Sequence, residues 1–300
     1  MTPREIIAEA WSITTSQPRL RRWAFTASFF ETLFDVKLLI YQFYFAWKYF
    51  HGGEAGFFDI EIMIYNAIPH GVFFGLLLGL IILIVVELFI PHVCMGAMIG
   101  LSAKAHRGDE VKGGLVLGLY NFFPIFAIHE FLILASFNTV TTTTSLILRY
   151  IDGPIKWYSI GVLLILFLFS TILRFLFSFA NQGVVLEKLS IFTAMGKSLK
   201  LIVSHLSHIM FLLLLLFVIS IRIVLNIATV VLVPAIVLGI GYLLAQVLSP
   251  VLSTAIAATI GVALIFGASY FFAYLHAFKH AVWTVTYLEL IKQKDLDVIL

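Results

Sequence analysis

Apolar positions in this chain fall into long runs separated by short polar breaks. A membrane-crossing helix needs about 20 mostly apolar residues. Six stretches answer to that length, roughly 24–48, 71–101, 113–137, 157–180, 207–233 and 252–281. Pro91 and Pro124 fall inside the second and third and predict kinks, because proline removes an amide donor and crowds the preceding turn. A seventh apolar stretch, 235–249, is too short to span and predicts an interfacial or re-entrant helix. The Thr-rich run 138–154 reads as a loop or strand-like turn ending in Asp152-Gly153-Pro154.

Two segments show a two-faced pattern. In 186–205, Ile191, Met195, Leu199 and Ile202 recur on one helical face and Thr193, Lys197, Lys200 and Ser204 on the other. In 1–17, Thr2 and Glu5 have capping-box spacing, Pro3 stands at the first helical position, and Ile6, Ile7, Ala10, Trp11 and Ile13 supply an oily side. Both predict amphipathic helices lying in the headgroup boundary. A weaker third case is the stretch after Asp109, and together they suggest three units, each a lead helix followed by two spans, starting near residues 3, 109 and 188.

Composition strengthens this picture. The chain has 300 residues, 61% hydrophobic and 12% charged, with mean hydropathy +1.06. A soluble domain is roughly 45–50% apolar and about 25% charged, so hydrocarbon is the expected solvent. The reading is an all-α polytopic membrane bundle forming one integral domain. The first residues lack the apolar core and cleavage site of a signal peptide. A single cysteine, Cys94, permits no internal disulfide.

Charge placement sets the expected orientation. Arg4, Arg19, Arg21, Arg22, Lys104, Arg107, Lys112, Lys188, Lys197, Lys200, Lys292 and Lys294 flank one set of span ends, and Lys48, Arg149 and Lys156 the other. The excess of basic residues predicts that the first set, with both termini, is cytoplasmic. Arg19, Arg21, Arg22, Lys197 and Lys200 are the candidate contacts to anionic headgroups.

The segments 186–217, 96–134 and 268–290, which contain "IFTAMGKSLKLIVSH", "SAKAHRGDEVKGG" and "FKHAVWTVTYLEL", resemble the YciC-type bacterial inner-membrane family. That family is related in pattern to the membrane domain fused to some glycerophosphodiester phosphodiesterases. The resemblance implies six spans, cytoplasmic ends and a place in the bacterial inner membrane. It brings no catalytic motif, and the soluble phosphodiesterase domain has no counterpart here.

Charges inside spans are costly, about 2.5–3.5 kcal/mol each at the helix centre on insertion scales. They are Glu31, Asp35, Lys37, Glu87, Glu130, Arg174 and Arg222. Rise per residue brings Glu31 and Asp35 to the depth of Arg174, and Glu130 to that of Arg222. Such pairs are either an ion or proton pathway or packing devices. His276 with His280, and His205 with His208, have ligand-like spacing, but no cysteine or carboxylate joins them, so no metal or other cofactor is expected. Gly71, Gly75 and Gly79 repeat every fourth residue, and Gly96 and Gly100 do so once more, a spacing that suits a close-packing helix face within the monomer or between copies. No nucleophile set and no nucleic-acid surface is recognisable. Two functions remain open: a non-enzymatic membrane protein that organises or senses anionic lipid or docks a membrane partner, and a transporter or channel for a small or lipid-like solute.

Overall fold

The computed structural model describes residues 1–53, 56, 58–219, 228, 232, 235–237 and 239–292. Every regular element among them is helical: α1 (Pro3–Ser16), α2 (Pro18–Phe50), α3 (Asp59–Ala67), α4 (His70–Arg107), α5 (Gly114–Phe131), a 3-10 turn (Ile133–Ala135), α6 (Phe137–Tyr150), α7 (Pro154–Leu176), α8 (Ala180–Glu187), α9 (Ile191–Ser204), α10 (Leu206–Ile219), α11 (Ala235–Ala245) and α12 (Pro250–Lys292). The chain is a helical bundle. Four described segments are long and apolar enough to cross a membrane: α4, α5, Pro154–Glu187 and Ala255–Lys292. A fifth is the pair α9 and α10, bent by 88°, if the two form one broken span.

The expected first span, 24–48, is one continuous helix of 33 residues, but it falls outside that apolar set. Glu31, Asp35 and Lys37 interrupt its middle. The expected span 113–137 ends at Phe131, and the Thr-rich run beyond it is helix α6 rather than loop or strand. Its threonines tolerate the helix because their hydroxyls can bond back to the preceding turn, as Thr141 does to the Phe137 carbonyl at 2.9 Å. α6 runs parallel to the second half of α2. Asn138 meets Asp35, Gln42 donates to Thr142 at 2.9 Å, and Arg149 stacks on Phe45. Both proline-containing helices continue through Pro91 and Pro124.

The two-faced segments fold as helices, but their oily faces meet protein. α1 is capped as its sequence demands: Glu5 N–H donates to the Thr2 hydroxyl, and Thr2 N–H to the Glu5 carboxylate at 2.7 Å. These bonds, the backbone one foremost, hold the Glu5 carboxyl below the usual carboxylate range. Ile6, Ala10 and Ile13 then bury in the main core with Leu20 and Ala24 of α2, Met98 of α4, and Ala277 and Ala281 of α12. In α9, Ala194 and Met195 pack on α8, while Leu201 and Ile202 pack on Phe179 and Tyr287. Of the expected oily face α9 leaves Leu199 exposed, and Phe192 and Val203 are exposed beside it.

The third expected lead helix does not form. Residues 108–113 make a turn, with Gly108 and Gly113 at φ +75° and +80°, a region glycine enters without steric cost. The segment 235–249 contains helix α11, which stacks on α12: Gly241 faces Ala257, and Val237 lies against Gly261.

The bundle has a basic end and a far end. At the basic end the Met1 ammonium lies 3.3 Å from Glu289, His106 bridges Glu9 and Glu289, and Lys188 donates to Asn121 at 3.2 Å. Helices α2 and α4 connect this end to the far end, which carries Lys48, Arg149 and Lys156. Between the ends, α4 and α7 expose Leu76, Ile82, Leu164 and Phe169 to the surroundings. Water would penalise such a surface and hydrocarbon would not.

Candidate functional site

α2 begins at Pro18, and Arg19 and Arg22 follow three residues apart, which puts them on one helical face. That face looks onto the 108–113 turn and the start of α5. Arg19 donates to the Val111 carbonyl at 2.8 Å, and Lys104 donates to the Lys112 carbonyl at 2.8 Å, so the turn is pinned from both sides. Trp23 then packs against Gly114. A Cβ on Gly114 would sit 2.5 Å from the indole nitrogen and 3.0 Å from Leu101.

The result is a cavity of about 330 Å³ with Arg19, Arg22, Trp23, Lys112, Gly113 and Gly114 in its wall. No side chain caps α5, and its first intrahelical bond runs from Leu117 N–H to the Gly113 carbonyl. The amides before Leu117 are therefore open donors at the positive end of the helix dipole. Lys112 pairs with Glu110. Arg22 has no hydrogen-bond or ion-pair acceptor among the described residues. Chemically the cavity offers guanidinium, ammonium and amide donors around a space that suits a phosphate-sized anion.

The other expected headgroup contacts divide. Arg21 turns inward, donating to the Thr14 carbonyl at 3.3 Å and to the Thr15 carbonyl, with its guanidinium 5.2 Å from the Tyr274 ring. It terminates α1 by satisfying last-turn carbonyls. Lys197 is tied to Glu187 at 2.5 Å, and Glu187 also accepts from Tyr287 at 2.6 Å. Lys200 is exposed.

The intramembrane charges do not gather into one cluster. Glu31 lies 3.6 Å from His276 of α12, Asp35 accepts from Asn138 of α6, and Glu87 of α4 pairs with Lys37 of α2. Arg174 pairs with neither Glu31 nor Asp35. It donates to the Ala135 carbonyl at 3.0 Å, in the break between α5 and α6 where helix bonding lapses. Glu130 lies beside His129 at 3.3 Å, and the His129 ring packs on His92. Arg222 lies outside the described residues. None of these carboxylates lines the basic-end cavity or the cleft between α2 and α6.

The glycine stripe also divides. Gly96 faces the Gly118 Cα, where an added Cβ would sit at 3.2 Å, and Gly100 faces Leu117 at 2.7 Å. These two set the approach of α4 to α5. Gly71, Gly75 and Gly79 have nothing within 4 Å, so among the described residues they pack no helix. His276 and His280 have ring centroids 5.0 Å apart, yet no three His, Cys, Asp or Glu among the described residues converge to hold a metal.

The chain matches no family model, no curated protein and no solved structure.

Local patterns do not reveal several of these partners. Tyr287 and Glu187 are 100 residues apart, and His106 and Glu9 are 97 apart. Gly114 carried a signal in its sequence neighbourhood, the Gly113-Gly114 pair between a polar turn and an apolar run, which marks a helix start approached closely by another element.

Proposed function

We propose that this chain is a non-enzymatic integral protein of the bacterial cytoplasmic membrane, multi-pass, with both ends cytoplasmic, and that it holds an anionic lipid headgroup in the basic-end cavity. The observation that carries the reading is Arg22, without an acceptor among the described residues, beside Arg19, Lys112 and the open amides of α5. A lipid phosphate would supply the missing acceptor, and charge-assisted bonds of this kind are about twice as strong as neutral ones. The excess of basic residues at this end supports its cytoplasmic placement. Membership of the YciC-type family is proposed on the three segments quoted above.

A transport pathway would need carboxylates along a wet passage. Glu31, Asp35 and Glu87 have partners on neighbouring helices, which favours the headgroup reading. The test is native mass spectrometry of the purified protein with phosphatidylglycerol or phosphatidylcholine. Preferential retention of phosphatidylglycerol is expected, falling roughly tenfold in Arg22→Gln, a loss of about 1.4 kcal/mol. Equal retention of the two lipids by the wild type would refute the proposal.

A further inference from the structure

A second site lies at the far end, in the cleft between α2 and α6. The cleft encloses about 380 Å³ and is walled mainly by apolar groups, among them Phe43 and Ala46 of α2 and Val140 and Leu148 of α6, with Thr144 beside them. This volume is in the range of small-ligand sites, roughly 300–1,000 Å³. Arg149 stands in its wall. The guanidinium carbon is 3.7 Å from the centroid of the Phe45 ring, and Phe45 is itself buried, so the cation is held in place by a ring rather than by an anion. Its Nε donates to the Ser145 carbonyl at 3.2 Å. Its Nη1 is buried without an acceptor, and no carboxylate among the described residues forms an ion pair with it. The nearby Asp59 is 3.5 Å from Lys48.

A half-buried cation with no ion-pair partner among the described residues, at the edge of an apolar cleft, is complementary to an anion with an apolar tail. From Leu39 to Phe50, the α2 residues that bound the cleft, the helix rises roughly 16 Å at 1.5 Å per residue, which suits an alkyl chain laid along it. We propose that this cleft binds a single-chain anionic amphiphile, such as a fatty-acid carboxylate or a lysophospholipid, with its chain between α2 and α6 and its head on Arg149. Burying the tail gains little from within a bilayer, where the chain already lies in hydrocarbon, so selectivity over neighbouring lipid rests on the head. The site is separate from the basic-end cavity and stands whether or not that cavity holds a headgroup.

The test uses the full-length protein in phosphatidylcholine nanodiscs, with spin-labelled stearate read by electron paramagnetic resonance. The motionally restricted fraction should exceed that of the labelled methyl ester. Arg149→Gln should weaken stearate binding about tenfold, corresponding to about 1.4 kcal/mol, and leave the methyl ester unchanged. Arg149→Lys should retain most of the effect, and Ala46→Trp, which fills the cleft, should abolish it. Competition on the wild type separates the sources: unlabelled oleate and lysophosphatidylglycerol should displace the probe, the tighter of the two being the better head. Equal restriction of stearate and its ester in the wild type, or displacement by diacyl phosphatidylglycerol as effective as by either single-chain lipid, would overturn the assignment. Because these two readings need no variant, a folding defect in a substituted protein does not shelter the proposal.

Discussion

At the scale of single residues, the glycines separate packing from composition. Gly118 lies where α4 and α5 come closest, and a methyl group there would overlap the Val93 carbonyl. Backbone is the least yielding of neighbours, so Gly118→Ala should destabilise the protein by about 1–3 kcal/mol through overpacking. Gly75 has open space around its missing side chain. Gly75→Ala should be neutral or stabilising by up to about 1 kcal/mol, since alanine is the better helix former. Thermal unfolding of both variants in one detergent checks the contrast, and equal destabilisation would contradict the helix contact assigned to Gly118. The spacing of the glycines along α4 gave no way to tell Gly75 from Gly96, because a regular repeat identifies a face and not its neighbour.

At the scale of elements, charge pairs fasten the helices. Lys37 and Glu87 join α2 to α4, and the Glu87 side chain is 0% exposed against 22% for Lys37. Removing one partner from a buried pair leaves the other charge without compensation, typically at about 3–5 kcal/mol, while replacing both with apolar groups is often neutral. Lys37→Met should therefore destabilise strongly, and Lys37→Met with Glu87→Leu should recover most of the loss. A double-mutant cycle on detergent-unfolding midpoints measures the coupling, and additive effects would show that the pair does not hold the helices together. The sequence placed Lys37 among the charges inside spans, and α4 supplies its carboxylate. It gave no sign of Asn138 as the partner of Asp35, because residues 138–154 carried a turn-like composition that tertiary contacts with α2 override.

For the whole molecule, most of the described basic residues share one end and both described termini approach it: Met1 reaches Glu289 near the end of α12. Under the proposed orientation, that end faces the cytoplasm. Cys94 is buried, so cysteines introduced elsewhere report accessibility with little background. In intact cells a membrane-impermeant maleimide should label Gly52→Cys at the far end and spare Thr2→Cys, which should react only after permeabilisation. Labelling of both in intact cells would reject the orientation.

Run length and composition along the chain are enough to identify an all-helical, membrane-embedded protein. The sequence also located α1 and α9, the Thr2–Glu5 cap and most of the apolar rods, because helical period, capping chemistry and run length are local properties. Packing in three dimensions is what lays the buried residues of α1 and α9 over other helices, carries α6 on from α5 beside α2, and pairs Lys37 with Glu87 and Asp35 with Asn138. The reason is that an apolar face gains by leaving water whether protein or lipid receives it, so its pattern is the same in either case. Partners separated by a hundred residues are chosen by how the helices pack, and no local period records that choice.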